Sequence, residues 1–309
     1  MTALAQRADD YLQLRRSLGH KLAEAHRLLP RFIAFLDEIG AVTVTLDTAL
    51  SWAQHADVDP ATGIGPRRMS VVRGFARYMA GIDPFTEIPP LGLLPIRKRW
   101  RPPFIYTAAD TADLLAQARA IRFPFAAATH ETVLGLLAAT GMRVGEALHL
   151  DRTDINWTEG VLSIRDSKFG KSRLVPVHPT TLAALDRYAT LRDTSRTKPV
   201  IPAFFVSIRG TRLIYPVVQQ VFRKLCDASS VGVGSDNQPR IHDFRHTFAV
   251  NTLLGWYRAG ENVEVRLPSL STYLGHRDPR STYWYLSAAP ELLALAAGRL
   301  ELSDGVISR

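Results

Sequence analysis

The chain has 309 residues, and its hydrophobic and charged fractions, 46% and 22%, are typical of a folded protein and exclude a largely disordered one. The formal net charge of +9 favours a polyanionic partner, although charge alone does not exclude a basic protein without a nucleic-acid partner. The one cysteine, Cys226, excludes an intrachain disulfide and a cysteine-based zinc site. No apolar run approaches the roughly 20 residues needed to cross a bilayer and no secretory signal begins the chain, so we expect a cytoplasmic protein with no membrane partner.

Residues 1–81 are predicted to form a helical domain. Apolar residues recur at three- and four-residue spacing between Ala25 and Leu36, and Gly40 provides a helix end. Pro30 lies inside this pattern, and we expect it to kink the helix or divide it into two pieces.

A later helical stretch, 66–80, separates an apolar side from a basic side. Its basic residues are candidates for contacts with DNA phosphates, and a solvated charged face is the alternative. The three candidates are Arg67, Arg73 and Arg77.

Residues 82–104 interrupt the helical pattern because they contain six prolines. We interpret them as an interdomain linker that crosses a phosphate backbone, and a plain extended spacer is the alternative. The basic residues of this segment that would contact DNA are Arg97, Lys98, Arg99 and Arg101.

Residues 105–309 are predicted to form a second, mixed domain. Two β-like runs, 161–165 and 173–177, are joined by a glycine-containing hairpin loop. The predicted fold class is therefore mainly α with a small antiparallel β-sheet (α+β). Helical patterns cover 108–120, 125–140, 179–192, 215–228, 241–257 and 289–298.

Three motifs in this second domain carry the chemistry. They are Thr-Gly-Met-Arg-Val-Gly-Glu at 140–146, His-Asp-Phe-Arg-His at 242–246, and Leu-Gly-His at 274–276 with Tyr285 nine residues later. Breaking a phosphodiester places negative charge on two oxygens, and arginine forks can bind both without losing their proton. A tyrosine nucleophile with a pKa near 10 must lose its proton, and the leaving oxygen must gain one. Together these side chains predict metal-free cleavage of DNA through a covalent bond to phosphorus.

Individually these residues are weaker signals. Arg143 follows a helix end and Glu146 can orient its guanidinium, but the pair also fits an ordinary surface salt bridge. His242 and Arg245 share one helix face and can converge on one phosphate, but an unremarkable pair on a helix is the alternative. His246 is expected to have a packing role.

The ordered set of motifs resembles the tyrosine recombinases, or phage-type integrases, over essentially the whole chain. In that family a helical DNA-binding domain precedes a catalytic domain with a C-terminal helix. Residues 281–286 are similar to members carried by transposons and other mobile elements.

The resemblance implies a catalytic set, which is Arg143, Lys168, His242, Arg245, His276 and the nucleophile Tyr285, supported by Glu146. Lys168 comes from the pattern at 168–176, in which Lys171 is the alternative catalytic lysine. Lys171 and Arg173 are also candidate DNA contacts. Residues 258–268 are expected to form an extra loop. Three other tyrosines near the motifs are expected to pack, namely Tyr257, Tyr273 and Tyr283.

The same resemblance implies a site-specific recombinase that cuts and rejoins double-stranded DNA through a 3′-phosphotyrosyl intermediate, with no cofactor and no metal. The apolar tail after Tyr285 predicts a homotetramer on DNA, linked through the C-terminal helix, and a helix that folds back on its own domain is the alternative. We expect the protein to associate with the nucleoid. Two other functions stay open, a type IB topoisomerase that relaxes DNA as a monomer and a catalytically silent DNA-binding regulator.

Overall fold

The computed structural model describes residues 2–20, 22–55, 63–94, 101–165, 172–195, 201–276, 278, 282, 283 and 285. The chain forms two compact units, Met1–Trp100 and Arg101–Arg309. Five predicted site residues lie outside the described residues, as does the predicted helix at 289–298. They are Arg97, Lys98, Arg99, Lys168 and Lys171.

The N-terminal unit is helical. Its described helices are α1 (Ala3–Ser17), α2 (Ala23–Glu38), α3 (Leu46–Ala53) and α4 (Ile64–Met79). Their apolar faces meet in one core in which Phe32, Leu36 and Phe75 are fully buried. The sequence pattern missed α3, a helix of 8 residues, because so short a segment shows little periodicity.

The prediction that Pro30 divides its helix is wrong, since α2 runs through it without a break. A proline inside a helix costs about 3 kcal/mol. Leu28, Leu29, Phe32 and Ile33 lie on both sides of the proline and are all buried. Burial of each such side chain contributes roughly 1.5–3 kcal/mol, which outweighs the local cost.

Residues 82–94 pack on the N-terminal unit. The amide of Glu87 donates to the carbonyl of Val44 at 2.8 Å, and Leu93 and Leu94 pack against the helical core. Residues 82–94 of the predicted linker therefore belong to the first unit, and we call this segment the strap. The boundary between the units lies at Trp100 and Arg101.

The second unit combines helices with a small sheet. Its described helices are α5 (Ala108–Arg119), α6 (Pro124–Thr140), α7 (Val144–His149), α8 (Pro179–Thr194), α9 (Tyr215–Ala228), α10 (Asp243–Arg258) and α11 (Val263–Leu274). Strands β1 (Ile155–Asn156), β2 (Val161–Ile164) and β3 (Arg173–Pro176) form an antiparallel sheet in the order β1-β2-β3. Leu162 in the central strand pairs with Ile155 and Val175, and all three are buried. This arrangement confirms the predicted fold class.

The predicted extra loop at 258–268 is wrong over most of its length. Asn262 caps α11 through its side chain, which accepts from the amide of Val265 at 3.3 Å. Pro268 lies inside α11, and the helix buries Leu267 and Leu274 against α10. A buried apolar face again overrides the proline.

None of the described helices is both long enough and apolar enough to cross a membrane.

Candidate active site

Arg143 sits at the junction between two helices. Gly141 ends α6 in the left-handed conformation, with φ of 59°, and Arg143 is the N-cap residue of α7. The guanidinium of Arg143 donates to Glu146 at 2.8 Å and to the carbonyl of Gly275 at 3.0 Å. About a quarter of the side chain, 26%, stays exposed. Arg143 lies together with Arg245, His276 and Tyr285, and we call the site that these four residues form the pocket.

Arg245 is buried and bound by backbone at two helix ends. Its guanidinium donates to the carbonyl of Gly141 at 3.0 Å and to that of Leu274 at 2.7 Å. These carbonyls close α6 and α11, where the helix dipole is negative and favours a cation. Burial lowers the pKa of Arg245 to about 10, and the charge of Arg143 adds to the effect. The side chain still carries its positive charge at neutral pH.

Glu146 joins two arginines. Its two carboxylate oxygens accept from the backbone and side chain of Arg143 and from both terminal nitrogens of Arg173. Burial alone would raise the pKa of Glu146, but the hydrogen bonds and charge of Arg173 and the hydrogen bonds of Arg143 outweigh it and lower the pKa to about 2. Glu146 is therefore a buried anion, and it is more than the surface salt-bridge partner that the sequence alone allows.

Arg173 does not have the role that the sequence predicts. It was expected to contact DNA, but it donates through Nε to the carbonyl of Tyr273 at 2.7 Å and through both other nitrogens to Glu146. Only 11% of its side chain is exposed. The two hydrogen bonds to Glu146 and the one to Tyr273 hold the guanidinium inside the protein.

Three histidines surround the pocket. His242 lies at the start of α10 and is exposed, and partial desolvation beside His246 and Arg245 lowers its pKa. Burial lowers the pKa values of His246 and His276 to about 4. All three rings are therefore neutral near pH 7. The Nδ1 of His276 lies 2.7 Å from the hydroxyl of Thr282.

Tyr285 lies among these groups. It is 2% exposed, and its ring centroid is 5.5 Å from that of His246 and 6.1 Å from that of His276. Burial raises the pKa of Tyr285, while the charge of Arg245 and a hydrogen bond to it act in the opposite direction. The hydroxyl therefore contacts a guanidinium of its own chain.

The competing tyrosines are placed elsewhere. Tyr283 is 50% exposed, so the prediction that it packs is wrong, whereas Tyr273 stacks on Phe248 with ring centroids 5.5 Å apart. Tyr257 packs against the cluster between α10 and α11. Among these four tyrosines, Tyr285 is the one that is buried and whose pKa is influenced by Arg245 and Arg143.

The phage integrase family model matches residues 106–291, which is more than half of the chain. The chain belongs to the phage integrase family. Its members are the tyrosine recombinases, enzymes that cut and rejoin DNA strands in site-specific recombination, so the predicted family, enzyme class and function are confirmed. Neither the topoisomerase nor the silent-regulator alternative is favoured.

Named relatives extend the match beyond the catalytic unit. A Sinorhizobium fredii protein that carries the name integrase/recombinase y4rB is 40% identical over 97% of this chain and 98% of its own length. Tyrosine recombinase XerC of Rhodospirillum centenum is 29% identical over 89% of this chain and 79% of its own length. A structure of the Tn1549 transposon integrase in complex with a circular intermediate DNA has a TM-score of 0.63 and 16% identity, covering 95% of this chain and 99% of that one. It shares the fold.

For this tyrosine recombinase, the fold gathers most of the predicted catalytic set. Arg143, Arg245, His276 and Tyr285 lie together, with His242 at the edge beside His246. Lys168 lies outside the described residues, although β2 and β3, which flank it in sequence, are described.

The predicted DNA contacts divide into two groups. Arg67 and Arg77 on α4 and Arg101 at the start of the second unit are exposed. Arg73 instead donates to the carbonyls of Pro89 and Pro90 at 2.7 and 2.8 Å, so it holds the strap of residues 82–94 in place. Prolines lack an amide donor, so the carbonyls of a proline-rich segment need a donor from elsewhere.

Sequence reasoning missed several contributors to the pocket. Arg173 binds Glu146, which together with the carbonyl of Gly275 holds Arg143. Thr282 contacts His276, and His246, which was expected to pack, lies against Tyr285 itself. The one available signal was the His-x-x-Arg-His sequence, in which His246 lies one helical turn from His242.

Proposed function

We propose that one chain supplies a complete phosphate-binding pocket and its own nucleophile, so that Tyr285 cleaves DNA in cis. The observation that carries this proposal is the position of Tyr285, which is 2% exposed and lies close enough to Arg245 of the same chain for that guanidinium to oppose the rise in its pKa. Arg245 in turn lies beside Arg143, whose charge also acts on the phenol. The scissile phosphate enters between the two guanidiniums and the hydroxyl.

The arginines stabilise charge in the transition state. A guanidinium has five N–H donors, and the backbone carbonyls and Glu146 occupy only some of them in Arg143 and Arg245. The remaining donors are aimed at the pocket by fixed helix ends. Preorganised donors of this kind need no rearrangement when charge develops on the phosphate oxygens.

His276 contributes a further donor. With Nδ1 accepting from the Thr282 hydroxyl, the ring carries its proton on Nε2 and can donate it to a phosphate oxygen. Removal of the Thr282 hydroxyl would free the His276 ring to rotate. We therefore include Thr282 as a positioning residue.

Proton transfer accompanies the attack. The hydroxyl oxygen of Tyr285 forms a bond to phosphorus, and its proton passes to neutral His242 or to a base that His242 orients. The bond from phosphorus to the 5′-oxygen breaks, and Lys168 gives that oxygen a proton. The products are a 3′-phosphotyrosyl bond and a free 5′-hydroxyl, and the reverse reaction with a new strand restores DNA without an external energy source.

The partner is double-stranded DNA with specific sites, which a chain of net charge +9 attracts. Exposed Arg67, Arg77 and Arg101 are the described candidates for phosphate contacts, and Arg97, Lys98, Arg99 and Lys171 complete the proposed set. Two duplexes are held by four subunits through the C-terminal tail. We also propose that the protein associates with nucleoid DNA in the cytoplasm.

A nicked suicide substrate tests the chemistry, because loss of a short 5′-hydroxyl fragment traps the covalent complex. The wild-type protein should form an adduct whose DNA is attached through a 3′-phosphate to Tyr285. Tyr285→Phe should form no adduct and should bind the same DNA with an unchanged Kd. Tyr283→Phe is the matched control and should react normally. An adduct formed by Tyr285→Phe would refute the assignment.

A further inference from the structure

Arg173 lies at a point where three parts of the catalytic unit meet. It belongs to β3, its Nε donates to the carbonyl of Tyr273 near the end of α11, and its terminal nitrogens donate to both oxygens of Glu146 on α7 at 3.0 and 2.8 Å. These partners lie 100 and 27 residues away in the chain. A single fork thus joins the sheet to two helices.

The guanidinium also lies directly against the peptide that holds Arg143. Gly275 ends α11 with φ of 69°, and its carbonyl accepts from Arg143. A Cβ atom added at Gly275 would lie 2.9 Å from a terminal nitrogen of Arg173. Arg173 therefore supports Arg143 in two ways, through the shared carboxylate of Glu146 and through the backbone at Gly275.

We propose that Arg173 is a positioning residue that fixes the orientation of the Arg143 guanidinium and anchors the β2–β3 hairpin to the phosphate pocket. This proposal rests on the function proposed above, in which Arg143 binds the scissile phosphate. It replaces the phosphate contact expected from sequence. Movement at β3 then displaces Arg143, and displacement of Arg143 moves the base of the hairpin.

Charge around Glu146 supports this role. The described charged groups that face it are Arg143 at its own helix start, Arg173 from β3 and Arg245 from α10, while His276 after α11 is neutral. Arg173 supplies the largest of the effects that oppose burial and keep the pKa of Glu146 low. Without Arg173, burial remains and the pKa of Glu146 rises, so the carboxylate that orients Arg143 becomes protonated as the pH falls.

The first experiment separates positioning from DNA contact. Arg173→Lys keeps the charge but cannot bind Glu146 and Tyr273 together. Its rate of adduct formation on saturating suicide substrate should fall about 10- to 100-fold, while the Kd for DNA stays within about twofold and the dependence of log Kd on log salt is unchanged. The exposed Arg187 on α8 provides the matched control Arg187→Lys, which should match wild type.

A phosphate contact would give the opposite pattern. If Arg173 contacted a phosphate, Arg173→Gln, which removes the charge, would bind DNA more weakly than wild type and lower the salt slope by about 0.9. That result, or a wild-type cleavage rate for Arg173→Lys, would overturn the proposal. Wild-type protein in the same assay reports separately on the proposed function, because absence of any Tyr285 adduct would reject that function before Arg173 is considered.

The second experiment measures how the cleavage rate depends on pH, because a simple loss of structure would not produce the expected dependence. Relative to wild type, Arg173→Gln should cleave progressively more slowly as the pH falls from 8 to 5, because Glu146 takes up a proton in this variant. The double variant Arg173→Gln, Glu146→Gln should lose this extra acid dependence. Thermal unfolding monitors whether each variant is folded. An acid limb that persists in the folded double variant would contradict the link through Glu146.

Discussion

Arg143 donates to the carbonyl of Gly275, 132 residues further along the chain, at a distance of 3.0 Å. Arg245 similarly donates to the carbonyl of Leu274, one residue earlier. The end of α11 thus holds both guanidiniums of the pocket and is followed at once by His276. The backbone at one helix end therefore contacts both charges.

Gly275→Ala should slow cleavage as well as lower the stability of the protein. A positive φ disfavours alanine, at a cost of about 1 kcal/mol or more, and the new Cβ would lie 2.9 Å from Arg173. Gly260→Ala is the matched control, since Gly260 has φ of 74° and no atom within 4 Å of the added Cβ. Both variants should lower Tm by a few degrees, but only Gly275→Ala should lower the adduct-formation rate. Equal cleavage rates in the two variants would show that Gly275 does not help to position the catalytic groups.

Glu146→Gln should remove a pH-dependent part of the stability. The pKa of Glu146 is about 2 in the folded protein against 4.5 for the free side chain. Its contribution, up to about 3 kcal/mol, is fully present above pH 4.5 and is lost as the pH falls toward 2. The variant should therefore be less stable than wild type in urea at pH 7, and the difference should shrink at pH 3. Titrating histidines affect both proteins equally and cancel in the comparison, so a difference that does not depend on pH would contradict the low pKa.

His246→Ala should slow cleavage by removing one wall from the Tyr285 ring. The two ring centroids are 5.5 Å apart, and His246 also contacts His242 at 5.1 Å. His246→Phe restores the aromatic wall and should recover a rate within about threefold of wild type, because the role we assign is packing. If Phe is as slow as Ala, the imidazole has a chemical role in the proton transfer.

Arg73→Ala should destabilise the N-terminal unit without changing the salt dependence of DNA binding. Its guanidinium binds the carbonyls of Pro89 and Pro90, so its loss frees the strap of residues 82–94. We expect a cost of about 1–3 kcal/mol in the free energy of unfolding. Arg77→Ala, at an exposed position on the same helix, should instead lower the salt slope and leave Tm unchanged. If Arg73→Ala instead lowered the salt slope and Arg77→Ala instead lowered Tm, the roles assigned to the two arginines would be wrong.

Much of the fold could be predicted from local patterns. Periodic apolar residues located most of the helices, and alternation with a glycine-containing loop located β2 and β3. Two of the errors fall where a proline lies inside a helix, since Pro30 and Pro268 occupy helices whose buried faces outweigh the lost hydrogen bond. The strength of that burial depends on the partner helix and is not visible in the segment itself.

The catalytic residues could be predicted because they lie in recognisable motifs. The residues that hold other groups of the protein in place could not. Arg143, Arg245 and Tyr285 were found because three ordered motifs resemble those of one family. Arg73 and Arg173 were assigned to DNA because both look like free cations in sequence. Each in fact binds a partner that lies close in space but distant in the chain.

Mixing two inactive variants tests the central claim of cis cleavage most directly. Tyr285→Phe retains the two arginines, and Arg245→Lys retains the nucleophile. If the arginines and the nucleophile of each active site come from one chain, an equimolar mixture on suicide substrate should form no more adduct than Arg245→Lys alone. Adduct restored in the mixture and attached to the Arg245→Lys chain would show that the tyrosine acts on a phosphate held by another subunit, and would contradict the account.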